Sequence, residues 1–62
     1  MMTEFHAEIS QRAARAVQSL RTAQEAGDDY LVAVREAELE SLARLASEHG
    51  LRVPDLARYT AA

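Results

Sequence analysis

Two histidines are the first residues of this chain whose type suggests chemistry. His6 and His49 lie far apart in the sequence. The carboxylates close to them are Glu4, Glu8 and Glu48. Two imidazoles and a carboxylate form a ligand set that zinc accepts, but no helix carries an HxxxH or ExxH pair. A small metal- or ligand-binding protein that uses these histidines is therefore an alternative interpretation. The main interpretation, given at the end of this subsection, assigns no metal.

Arg35 and Glu38 are the second candidates, because both are charged and fall inside an otherwise apolar helical stripe. One interpretation is a buried or interfacial ion pair that sets register between protomers or recognises a partner. The other is a pair at the stripe edge whose long side chains reach solvent. Glu36, Glu38 and Glu40 alternate along the chain, so they do not converge on one helical face and do not predict paired-carboxylate catalysis.

The charge balance argues against a nucleic-acid-binding domain. The chain has 7 Arg, no Lys and 10 acidic residues, and its net charge is −3, whereas generic nucleic-acid binders are basic. Arg12, Arg15 and Arg21 lie in the first half of the chain. The i,i+4 pairs Glu8–Arg12 and Arg21–Glu25 are expected to compensate much of this charge. Nucleic-acid binding is therefore less favoured than metal or ligand binding by the histidines and less favoured than the protein–protein interaction predicted below.

The remaining composition excludes several kinds of site. No cysteine is present, which excludes disulfides and Cys-based zinc sites. No nucleophile–base set, Gly-rich phosphate loop or cofactor motif is found, so we predict no enzyme activity and no cofactor. The sequence contains no run of 18 apolar residues, so it predicts no membrane span. The first ten residues lack the pattern of a secretory signal, so a cytoplasmic location is expected.

Two glycines, Gly27 and Gly50, divide the chain into two long segments and a tail. Apolar residues recur at helical spacing in both segments, and alanine favours helix throughout. The sequence predicts one domain with these elements: a helix at about 4–26, a turn at 27–28, a helix at about 29–49, and a tail at 50–62 that holds one short helical turn.

Capping residues support these boundaries. Thr3 is the predicted N-cap of the first helix, and Asp28 or Asp29 that of the second. Gly50 predicts a Schellman ending of the second helix. Pro54 is suited to begin a further helical turn.

A turn of two or three residues makes the two helices antiparallel neighbours. Residues whose numbers sum to about 55 then lie level, so Phe5, His6 and His49 meet at the open end of the hairpin. By the same rule Leu20 lies level with Arg35. Two helices alone leave much of each apolar stripe in water. The predicted fold is therefore an all-α antiparallel two-helix hairpin that assembles into a homodimeric four-helix bundle, and docking on a different protein is the alternative.

The predicted function is non-enzymatic protein–protein interaction, as a self-assembling, adaptor or regulatory module. The predicted interface combines the apolar and small residues of both stripes with the charged pair that would set its specificity: Phe5, Ile9, Ala13, Ala16, Leu20, Leu31, Arg35, Glu38, Leu39, Leu42 and Leu45.

Overall fold

The computed structural model describes residues 3–59, which form two long helices and one short helix. Helix α1 spans Glu4–Ala26, helix α2 spans Asp29–Glu48, and a terminal 3₁₀ helix spans Pro54–Tyr59. The predicted all-helical hairpin is confirmed, with α2 ending one residue earlier than expected. Residues 60–62 of the predicted tail lie outside the described part of the chain. Within that part, no helix is long and apolar enough to cross a membrane.

Helix α1 begins where the sequence predicts, because Thr3 caps it. Its side-chain oxygen accepts a hydrogen bond of 3.0 Å from the backbone N–H of His6, which satisfies one of the free N–H groups of the first turn. Glu4 adds a negative charge at the positive end of the helix dipole.

The turn between the long helices is made by two residues. Gly27 takes the left-handed conformation with φ of 69°, which a residue without a side chain adopts at little cost. The backbone N–H of Asp28 donates to the carbonyl of Ala23 at 2.9 Å and closes α1. The side chain of Asp28 accepts from the N–H of Leu31 at 3.0 Å and opens α2. Asp28 therefore ends one helix and starts the next.

The end of α2 follows the predicted Schellman pattern. Gly50 has φ of 66° and donates to the carbonyl of Ser47 at 3.1 Å. Leu51 donates to the carbonyl of Ala46 at 2.8 Å, and this bond between residues five positions apart defines the motif. The chain is thereby turned back toward the hairpin.

Two contacts fix the register of the antiparallel pair. The rings of Phe5 and His49 meet edge to face at 4.9 Å between centroids, at the open end. Nearer the turn, the Nε of Arg35 donates to the hydroxyl oxygen of Ser19 at 2.9 Å. Both contacts give the same register. It confirms the predicted level of Phe5 with His49, whereas Arg35 meets Ser19 and not the predicted Leu20.

The core lies between α1, α2 and the tail. Its buried residues are Ile9, Ala13, Ala16, Leu20, Leu39, Leu42, Ala43, Ala46, Val53 and Leu56. Leu39 and Leu56 are both 0% exposed. The expectation that two helices would leave both stripes uncovered is wrong on one side of the hairpin, because Val53 and Leu56 complete the core there.

Candidate interaction surface

The hairpin has two broad faces, and the tail covers one of them. Pro54–Tyr59 lies beside Val17, Leu20 and Arg21 of α1, and its end lies beside Ala43 of α2. We call this side the tail face. The side chain of His6 anchors the start of the tail, since its Nε2 lies 2.9 Å from the carbonyl oxygen of Arg52.

The opposite side is not covered by described residues of the tail, and we call it the uncovered face. It contains two rows of side chains that recur at alternating intervals of three and four residues, the spacing of a helix–helix seam. The α1 row is Phe5, Glu8, Arg12, Arg15, Ser19, Thr22 and Ala26, and the α2 row is Leu31, Val34, Glu38, Ser41 and Leu45.

Most of the apolar surface of the uncovered face belongs to α2. Leu31, Val34 and Leu45 are half-buried, and of these Leu45 packs against the core. Phe5 of α1 is 40% exposed at the open end. These side chains give the uncovered face an apolar strip that runs along α2 and has a further apolar residue at the open end.

A polar cluster interrupts this strip at its centre. The guanidinium of Arg35 donates from Nε to the Oγ of Ser19 and from Nη1 to the Oε1 of Glu38, both at 2.9 Å. The side chains of Arg35 and Glu38 are 34% and 40% exposed, so the pair lies at the edge of the core rather than inside it. Arg15 lines the same small cleft.

The residues predicted to form an interface separate into two groups. Ile9, Ala13, Ala16, Leu20, Leu39 and Leu42 are buried inside the single chain. Phe5, Leu31, Arg35, Glu38 and Leu45 keep exposed area on the uncovered face. The first group holds the hairpin and tail together, and the second group is accessible to a partner without any unfolding.

The two candidate metal ligands have other contacts. A carbonyl oxygen only accepts, so the Nε2 of His6 carries the proton in its bond to Arg52. The ring of His49 packs on Phe5. Within residues 3–59, no three His, Asp or Glu side chains come together in a geometry that would hold a metal ion. The open end is therefore built by packing and tail anchoring.

The arginines of α1 are compensated less than the spacing predicts. Arg12 pairs with Glu8 at 3.4 Å, with both side chains 59% exposed, an arrangement that contributes little stability. The expected Arg21–Glu25 pair is not among the ion pairs of the described residues, and both residues are exposed. Arg15 likewise has no ion pair there and is exposed, so it leaves a positive charge on the uncovered face.

Sequence reasoning missed Ser19 and the packing residues of the tail. Ser19 occupies the flank of the α1 stripe at the level of Arg35, so the antiparallel register was the available signal. Val53 and Leu56 flank Pro54 at a spacing that puts both on one side of a short helix. That apolar pair was a signal that the tail folds back on the hairpin.

Comparisons with known proteins give no match, since no protein-family model, curated protein or solved structure is significantly similar to this chain.

Proposed function

We propose that this protein is a non-enzymatic helical module that works through protein–protein interaction, and that it self-associates through the uncovered face into a dimeric four-helix bundle. The observation that carries the proposal is the asymmetry of the hairpin. One face is closed by the chain's own tail, whereas the other keeps Leu31, Val34 and Phe5 partly exposed beside an ordered Arg35–Glu38 pair.

The dimensions of the uncovered face agree with a dimer interface. Helices of 23 and 20 residues are about 30–35 Å long. Two such helices packed about 10 Å apart present a face about 20 Å wide. The resulting area of about 600–700 Å² approaches the ~800 Å² that each partner contributes to a stable complex. A second hairpin has a face of the same size to offer.

The test is the mass of the protein in solution, measured together with its helix content. Sedimentation and circular dichroism over a dilution series should show a helical dimer that dissociates at low concentration. Val34→Asp should weaken the dimer by at least about tenfold, because it places a charge in the apolar strip of the uncovered face. Ala33→Asp is the matched control, since Ala33 is the exposed neighbour and lies on another side of α2.

The two variants make the outcome specific. Both introduce the same charge, and Ala33→Asp has the larger cost in helix propensity because alanine is the better helix former. A dimer that is weakened more by Val34→Asp therefore reports the face and not the helix. A chain that stays monomeric, helical and cooperative up to millimolar concentration would overturn the proposal. Equal weakening by both variants would also overturn it, since the interface would then lie elsewhere.

A further inference from the structure

The charges of the uncovered face lie at matching heights on the two helices. The contacts of Phe5 with His49 and of Ser19 with Arg35 fix the register. By that register Arg15 of α1 lies level with Leu39 of α2, one residue from Glu38. Arg15 carries an exposed positive charge with no ion pair among the described residues, and Glu38 keeps 40% of its side chain exposed.

Two ways of packing two hairpins face to face differ in which charges meet. If the turns of the two copies lie at opposite ends, each helix packs antiparallel on its own copy. Arg15 is the middle residue of Glu4–Ala26, and Glu38 is one of the two middle residues of Asp29–Glu48. Full overlap would then bring Arg15 against Arg15 and Glu38 against Glu38, which is repulsive.

If the turns lie at the same end, α1 of each copy packs on α2 of the other and all heights are kept. Arg15 then lies beside Glu38 of the partner subunit, and the contact occurs twice because the interface is two-fold symmetric. Both arrangements keep neighbouring helices antiparallel, so the helix dipoles do not distinguish them. The charges do distinguish them.

The sizes of the side chains are compatible with the same arrangement. The half of the α1 row nearer the turn is small: Ser19, Thr22 and Ala26. At the same height the α2 row carries the larger Leu31 and Val34. A second copy with its turn at the same end would place large residues opposite small ones, as close helix packing requires.

We infer that the partner of the uncovered face is a second copy of this chain with its turn at the same end, held in register by two intermolecular Arg15–Glu38 ion pairs. This inference rests on the self-association proposed above and adds the arrangement of the copies. Arg35 keeps its bond to Ser19 within each chain and orients Glu38 toward the partner.

Charge reversal tests the ion pairs. Arg15→Glu and Glu38→Arg change the net charge in opposite directions, yet each should weaken the dimer by about tenfold or more, because each creates two like-charge contacts. The double variant R15E/E38R, whose net charge equals that of the original chain, should bind more tightly than either single variant, although it lacks the Arg35–Glu38 pair within the chain. Arg21→Glu on the tail face is the control for Arg15→Glu and should leave the affinity unchanged. Circular dichroism melts verify that each variant folds.

A distance measurement tests the arrangement independently. The chain contains no cysteine, so Asp29→Cys provides a single position for a spin label beside the turn. The two labels of a dimer should lie about 20 Å apart or less when the turns share an end, and about 30 Å apart or more when they do not. A dimer with the longer distance, or a dimer whose affinity is unchanged by both single charge reversals, overturns the arrangement but not the self-association. A monomer at every concentration overturns the proposed self-association with it.

Discussion

Arg35 and Ser19 are joined across the hairpin by a hydrogen bond of 2.9 Å from Nε to Oγ, and they lie sixteen residues apart in the chain. The same guanidinium binds Glu38 at 2.9 Å. One planar group therefore connects α1 to α2 and also fixes the rotamer of a carboxylate on the uncovered face. A slip of the helices past each other would break this bond, so it specifies the register that apolar packing leaves less well defined.

Ser19→Ala removes the acceptor of this bond. We expect the free energy of unfolding to fall by about 1 kcal/mol, because the Nε–H of a partly buried arginine loses its protein partner. Ser47→Ala is the control, since Ser47 is an exposed residue of α2 and the substitution brings the same gain in helix propensity. Chemical denaturation of both variants gives the comparison. Equal stabilities would mean that water replaces Ser19 without loss.

The turn offers a second prediction, because Asp28 both ends α1 and caps α2. Asp28→Ala keeps the backbone bond to Ala23 but removes the side-chain acceptor for Leu31. We expect a loss of about 1 kcal/mol in unfolding free energy. Asp28→Asn should cost less than half as much, because an amide oxygen also accepts from a backbone N–H. If alanine and asparagine prove equivalent in thermal melts, the cap does not stabilise the turn.

Much of the architecture was predictable from local sequence signals. The capping residues Thr3 and Asp28 act within one helical turn, and Gly27 and Gly50 act through their own backbone conformation. Such signals operate between neighbours in the chain, so a single sequence contains them. The short turn then determines that the helices are antiparallel, and this placed Phe5 near His49 correctly.

The identity of the covered face was not predictable in the same way. Both flanks of the α2 stripe contain apolar residues, and the choice between them depends on where the chain goes after Gly50. Leu56 becomes buried only when the tail folds back on α1 and α2. That burial depends on contacts between residues distant in sequence. The interface prediction therefore mixed core residues such as Leu39 with half-buried ones such as Leu31. The apolar pair Val53 and Leu56 indicates that the tail folds back, but local sequence signals do not say which flank of the hairpin it covers.

The core assignment on α2 leads to a third prediction. Leu42 is 6% exposed within the cluster, whereas Glu40 is exposed. Leu42→Asp would bury a carboxylate without a partner, which costs several kcal/mol and is comparable with the whole stability of a small domain. We expect this variant to lose its helical circular dichroism signal at 25 °C. Glu40→Gln should change the melting temperature by no more than a few degrees. Similar effects of the two would show that the helix faces are assigned wrongly.

The last prediction concerns the tail. Val53 and Leu56 are part of the core, so the tail contributes to the stability of the fold. Leu56 is 0% exposed within the core cluster, so Leu56→Ala would leave a cavity there or let the tail detach, and we expect a loss of about 2–5 kcal/mol. Asp55→Asn, one residue earlier and exposed, should have little effect. Hydrogen exchange identifies the cause: detachment of the tail would deprotect residues of the 3₁₀ helix while α1 and α2 stay protected. Unchanged stability after Leu56→Ala would mean that two helices suffice for the fold, and the tail face would then be as available to a partner as the uncovered face.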